Sequence, residues 1–253
     1  MALVLPFVAG LVNAEGFFIV GVYTSHLTGT VARTADAIAK GQLRVAAAGL
    51  GLVVAFFTGA FVATALVERA RQQQRARYSR ALGTEMLALL GVMVLGLTET
   101  TRPPEPVRLL VTTLLLSFAM GAQNALVTKL SGAVVRTTHL TGIVTDLGIE
   151  SVKGLQSLRA LRQTLAEGAN ERFIWRALVY LRTSAEFRRV RLHVAIFVSF
   201  FTGAVLGPVL YALEGYTAMM LPVFVLTTLI LFDTAVGFRT AEPAGPAAEP
   251  AKP

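Results

Sequence analysis

The stretch from Val45 to Val67, VAAAGLGLVVAFFTGAFVATALV, holds 23 residues without a charge. A helix needs roughly 20 such residues to cross a bilayer. Inside it stands Phe56-Phe57-Thr58-Gly59-Ala60, and the same five residues return as Phe200-Phe201-Thr202-Gly203-Ala204 inside a second apolar run. Those two facts predict a membrane helix bundle that contains its own plan twice. Small residues such as Gly59 and Gly203 at this spacing let two helix backbones approach closely, so the motif is expected to hold the halves together rather than to touch a solute.

Working outward, apolar segments cover 2–24, 45–67, 83–98, 107–128, 192–212 and 217–237. Hydrophobic residues make up 54% of the 253 positions and charged ones 15%, whereas soluble domains carry about a quarter charged residues. The fold class expected is therefore all-α, with six membrane-spanning helices. The formal charge of +8 does not indicate nucleic acid, because the Arg residues sit in short linkers between apolar runs. Arg69, Arg71, Arg75, Arg77 and Arg80 crowd the linker 68–82, and 146–191 carries nine Lys or Arg. The turns at 99–106 and 213–216 are acidic or neutral. Basic linkers stay inside, so both termini are expected in the cytoplasm of a bacterium, with the chain in its inner membrane. Cys is absent, which excludes disulfides, thiol nucleophiles and Cys-ligated metals. The start, Met1-Ala2-Leu3-Val4-Leu5, lacks the basic region of a cleavable signal and is expected to stay as part of the first span.

The repeat extends beyond one motif. Phe7, Gly10, Asn13 and Ala14 match Phe118, Gly121, Asn124 and Ala125, and His26-Leu27-Thr28-Gly29 matches His139-Leu140-Thr141-Gly142. All three matches keep the same order. Repeat one is expected over 1–98 and repeat two over 107–239, within one transmembrane domain of 1–239. The second copy carries an insertion at 146–190, where Leu155, Leu158, Leu161 and Leu165 predict amphipathic helix at the membrane surface. A tail at 240–253, rich in Ala, Pro and Glu, is expected to be disordered. Three spans per copy is an odd number, so the copies should enter the membrane in opposite directions, as in many secondary transporters.

At these residues the chain resembles the YoaK family of bacterial membrane proteins. The motifs that carry the resemblance are Gly10-Leu11-Val12-Asn13-Ala14, His26-Leu27-Thr28-Gly29-Thr30, Gly121-Ala122-Gln123-Asn124-Ala125 and Arg136-Thr137-Thr138-His139-Leu140-Thr141-Gly142. It covers nearly the whole chain apart from the tail. It implies six spans and suggests a small-molecule transporter, without naming a solute.

Polar groups at membrane depth are costly and call for a reason. The substrate-binding candidates are Asn13, Glu15, His26, Thr28, Gly29, Gln123, Asn124, His139, Thr141 and Gly142. Glu15 is either a proton- or cation-handling carboxylate or a buried acid paired with Lys129 or hydrogen-bonded to Asn124. The His-Leu-Thr-Gly segments are either interfacial turns or the starts of broken helices. In the second case Thr would cap the helix, and free N–H groups would converge near the midplane. Two His and a Glu match no metal-binding signature, so neither a metal nor another cofactor is expected. The leading function is a transporter or channel for a small polar solute, anionic if helix dipoles dominate, with proton coupling through Glu15 as a further step. An intramembrane enzyme using His26 or His139 is the first alternative, but no nucleophile stands beside a base. A non-transporting scaffold or sensor is the second, its insertion binding a partner or anionic lipid. The expected partners are the lipid bilayer and the solute, with homodimer formation left open and no nucleic acid.

Overall fold

The computed structural model describes residues 3–72, 78–100, 104–130, 140–165 and 183–236, together with Trp175 and Val179. The regular elements are helices: α1 (Val4–Val20), α2 (Leu27–Ala39), α3 (Leu43–Gln72), α4 (Ser79–Leu97), α5 (Pro106–Leu130), α6 (Leu140–Leu165), α7 (Ala185–Glu214) and α8 (Met220–Ala235), the last preceded by a 3-10 turn at Gly215–Met219. Each of the six apolar segments falls on a helix. Among the described residues, four stretches are long and apolar enough to cross a membrane: Leu43–Gln72, Ser79–Leu97, Pro106–Leu130 and Phe187–Ala235. The last is divided at Gly215, whose φ of 60° lies where a side chain is rarely tolerated.

The first predicted span, 2–24, needs correction. Helix α1 stops at Val20, because Gly21 adopts φ 71° and returns its N–H to the Phe17 carbonyl at 2.8 Å. The chain then doubles back, and Tyr23 stacks on Phe17 with ring centroids 4.4 Å apart. At 1.5 Å per residue, α1 is about 26 Å long, short of the roughly 30 Å hydrocarbon core.

Packing follows the repeated motifs. A methyl group on Gly10 would run into the Phe200 carbonyl, and one on Gly203 into the Phe7 carbonyl. The second crossing has the same form: Gly59 lies against the Phe118 carbonyl and Gly121 against the Phe56 carbonyl. Each copy of Phe-Phe-Thr-Gly-Ala therefore meets the Phe-x-x-Gly of the other half, backbone on backbone, as its small residues predict. These contacts also give directions. Leu3 with Ser199, Phe7 with Gly203 and Leu11 with Gly207 place α1 parallel to α7. Gly51 with Leu114, Gly59 with Phe118 and Glu68 with Lys129 place α3 parallel to α5. Gly16 meets Leu116 while Gln123 Nε2 donates to the Leu5 carbonyl at 3.0 Å, so α1 and α5 run antiparallel. By the same logic α4 is antiparallel to α5, through Leu95 with Arg108 and Gly91 with Leu115. It is also antiparallel to α8, through Ser79 with Asp233 and Gly96 with Tyr216.

The core between these helices holds Leu5, Val8 and Val12 of α1, Leu82 and Leu89 of α4, Leu116 and Met120 of α5, Ile196 of α7 and Leu226 of α8. The outer faces are apolar as well. Val54, Phe57 and Phe61 form an exposed stripe on α3, and Phe201, Val205 and Val209 form one on α7. Such stripes would be untenable in water over this area and are what a lipid-facing helix requires. The first part of the insertion continues α6 without a break from the second His-Leu-Thr-Gly, and Leu155, Leu158, Leu161 and Leu165 fall on it. Residues 166–182 of the insertion apart from Trp175 and Val179, the tail at 240–253, and Arg75, Arg77 and His139 lie outside the described residues.

Candidate functional site

The fold-back after α1 brings polar residues inside the bundle. Ser25 hydrogen-bonds to Asn13, with Oγ donating to Asn13 Oδ1 at 2.7 Å and the backbone N–H at 3.3 Å. Asn13 lies seven residues before Val20, about 10 Å below the end of α1. The segment Gly21–His26 therefore re-enters the bundle to the level of mid-α1. From α5, Ser117 Oγ reaches both the Leu52 carbonyl at 2.9 Å and the Thr24 carbonyl at 3.4 Å. Helices α1 and α5 thus hold this loop at depth, and the same Ser117 ties α5 to α3.

Helix α2 starts there. Its first residue is Leu27, with His26 at the cap position, and no side chain caps the terminus. Thr28 was expected to cap and instead lies within the first turn. Thr30 Oγ1 bonds back to the His26 carbonyl at 3.1 Å, within the helix. The helix then runs outward beside the start of α3, where Thr34 packs on Gly49. Helix α6 begins at the matching residue, Leu140, and pairs with α7 in the same way, Gly154 lying against Phe187.

A cavity of about 550 Å³ joins the two helix starts. Ser25, His26, Leu27 and Thr28 line it from the first motif, Thr141 from the second, Asn124, Thr128 and Lys129 from α5, and Phe56 and Thr64 from α3. Of the predicted site residues, His26, Thr28, Asn124 and Thr141 share this space, and Asn13 buttresses it through Ser25. Gly29 faces a separate cavity described below, and Gly142 is half-buried beside Thr141. Ser25, Thr64 and Thr128 escaped the sequence argument; Ser and Thr also satisfy their own helix backbone, as Thr128 Oγ1 does at the Asn124 carbonyl (2.7 Å), so nothing in the sequence separates the two uses.

Two further candidates do not line this cavity. Gln123 is fully buried and ties α5 to α1 through Leu5. Glu15 is fully buried, and neither carboxyl oxygen has a hydrogen-bond partner among the described residues. Its expected pairings do not form. Lys129 Nζ instead meets Glu68 Oε1 at 2.6 Å, and Asn124 Nδ2 donates to the Met120 carbonyl at 3.0 Å. Lys129 and Glu68 are on neighbouring parallel helices at similar height, whereas Glu15 sits nearer the opposite end of α1. A second buried carboxyl without a hydrogen-bond partner among the described residues, Glu85 on α4, was missed. Its signal was present, since a carboxylate inside the apolar run 83–98 calls for the same explanation as Glu15. Among the described residues, no three His, Asp or Glu gather in a way suited to a metal.

Apolar helices with lipid-facing stripes, packed around a core that admits a few polar groups, define a helical membrane protein. The chain belongs to the DUF1275 family, whose model, described as "Protein of unknown function (DUF1275)", matches residues 1–232. It is similar to the "UPF0700 transmembrane protein YoaK" of Bacillus subtilis (strain 168), at 28% identity over 158 residues, which are 62% of this chain and 68% of that relative. No solved structure matches it.

Proposed function

We propose that this protein carries a small polar solute across the bacterial inner membrane, through the interface of two inverted three-span repeats. The observation that carries the proposal is that the helix starts of both His-Leu-Thr-Gly motifs border one cavity, with Thr28 on one side and Thr141 on the other. A helix start presents free N–H groups and the positive end of its dipole. Irregular backbone at depth is tolerated where it lines a cavity. An anion or a strongly polar neutral solute fits that chemistry better than a cation does, and Lys129 stands at the rim with its charge matched by Glu68.

The pairwise helix directions support the inverted arrangement. With α1 and α7 parallel, α5 antiparallel to both, α3 following α5, and α4 and α8 opposed, the first half reads opposite to the second. Six crossings with basic linkers inside would leave both termini in the cytoplasm. Glu15 is the proposed coupling group, buried and without a hydrogen-bond partner among the described residues, where a proton can be taken up and released. The solute passes unchanged, with no chemistry asked of His26.

The test is flux. Purified protein in liposomes is challenged with isosmotic salts of small inorganic and carboxylic anions and with neutral polyols, and swelling is followed by light scattering. Swelling faster than in empty liposomes for at least one solute, slowed by Thr128→Trp, is expected. Rates equal to empty liposomes for every solute would remove the transport proposal.

A further inference from the structure

A second cavity, of about 360 Å³, lies at the other end of the same helices. Phe17 and Tyr23 line it, with Arg33 of α2, Gly49 of α3 and Pro106 and Thr113 of α5. On α5 the two cavities are separate in height: residues 106–113 border this one and residues 124–129 the one described above. The step of 11 residues from Thr113 to Asn124 spans about 16 Å of helix. Within that gap Ser117 binds the Thr24 and Leu52 carbonyls, and Ser25 is held by Asn13. The floor between the cavities is thus a hydrogen-bonded loop, fixed to α1 and α5.

Among the described residues, His26 is the one that borders both cavities. Its imidazole lies over Gly29, where an added methyl would meet Cδ2 and Nε2. Glycine at 29 therefore makes room for the ring one turn into α2. Among the described residues the imidazole has no side-chain hydrogen bond, and its immediate support is that glycine. A ring seated by shape, on a loop otherwise tied by hydrogen bonds, is the part of the floor that can move by side-chain rotation alone, on a timescale far shorter than that of helix motion.

We propose that the His26 imidazole is the partition between two chambers that open to opposite membrane faces, and that displacing it from Gly29 joins them into one path. The inference rests on the transport proposal for its purpose, though not for its geometry. Its test uses the Cys-free chain and needs no solute. Arg33→Cys reports the chamber beside α2, and Thr128→Cys reports the chamber beside the end of α5. Each is probed with a membrane-impermeant maleimide in intact cells and in inverted vesicles.

With His26 in place, each reporter should react from one side, and the two sides should differ. In the His26→Ala background Thr128→Cys should also react from the Arg33 side, at a rate approaching that from its own side. Gly29→Ala, which keeps the imidazole but fills its seat, should give the same gain. Where His26→Ala aggregates on size exclusion, Gly29→Ala and His26→Asn decide. Labelling of Thr128→Cys that stays one-sided in every folded variant overturns the proposal, as does two-sided labelling with His26 and Gly29 intact. Absent flux together with the gained labelling would sink the transport proposal and leave the partition standing; flux without the gained labelling would do the reverse.

Discussion

Asp233, on the last turn of α8, caps α4 from the far end of the chain. Its Oδ2 accepts from the Ser79 N–H and from Ser79 Oγ, both at 2.7 Å, and from the Tyr78 N–H at 2.9 Å. Asp233 is 1% exposed. A helix N-terminus carries unsatisfied N–H groups and a partial positive charge, which a carboxylate answers on both counts. The contact fixes α4 and α8 end to end as an antiparallel pair, from Ser79 with Asp233 to Gly96 with Tyr216.

Replacing Asp233 with Ala leaves the first N–H groups of α4 buried without that acceptor. The loss should be about 1–2 kcal/mol, read as a lower melting temperature in detergent. Ser79→Ala removes one of the three bonds and should cost less. Equal stability of Asp233→Ala and the parent chain would show that α4 finds another cap.

The four glycines at the two crossings should resist substitution. Gly10→Ala, Gly59→Ala, Gly121→Ala and Gly203→Ala each push a methyl onto a carbonyl of the opposite half, and overpacking of this kind costs about 1–3 kcal/mol. Gly83 has nothing within 4 Å of an added Cβ, so Gly83→Ala should stabilise α4 by about 0.5–1 kcal/mol. Gly10 and Gly203 share one crossing, so their effects should not add. Melting curves of the five variants and the Gly10/Gly203 pair decide the point.

Asn13→Ala releases Ser25 while leaving the loop's ties to Ser117 in place. The stability change should stay within about 0.5–1.5 kcal/mol, the net worth of an ordinary hydrogen bond. Solute flux should fall by more than the loss of folded protein explains, because the start of α2 is no longer held at its depth. Flux that tracks folded yield alone would make the Asn13–Ser25 contact purely structural.

Glu15→Gln should keep flux at equal pH on both sides and lose the response to a pH gradient. A variant that still concentrates solute when a gradient is imposed removes Glu15 from the coupling step.

Glu85 supplies the contrast. A buried polar group without a partner costs about 1–3 kcal/mol, so Glu85→Leu should raise the melting temperature. If flux and its pH response survive, Glu85 has no part in transport; if the gradient response disappears, the coupling carboxyl has been assigned to the wrong helix.

The residues differ in how far the chain alone reveals them. Phe56–Ala60 and Phe200–Ala204 were legible because close helix approach is written in small side chains at helical spacing, and the structure puts both where two backbones touch. The depth of His26 was not legible. Gly21, Val22 and Tyr23 are themselves compatible with an apolar span, so the segment 2–24 reads as continuous until Gly21 turns it back and Asn13 holds Ser25. Of the two readings open for Glu15, the pairing with Lys129 does not form, and the chain could not decide between them for a related reason: spacing along the chain says nothing about which helix lies alongside.

Hydropathy and repetition are local properties, so the linear chain by itself determined the membrane setting, the six apolar segments and the twofold plan. Which helices pair, in which direction, and which polar atoms meet were decided by tertiary structure alone. Those outcomes depend on backbone-to-backbone contact and on hydrogen bonds between residues as far apart as Ser79 and Asp233, and such energies exist only once the helices have come together.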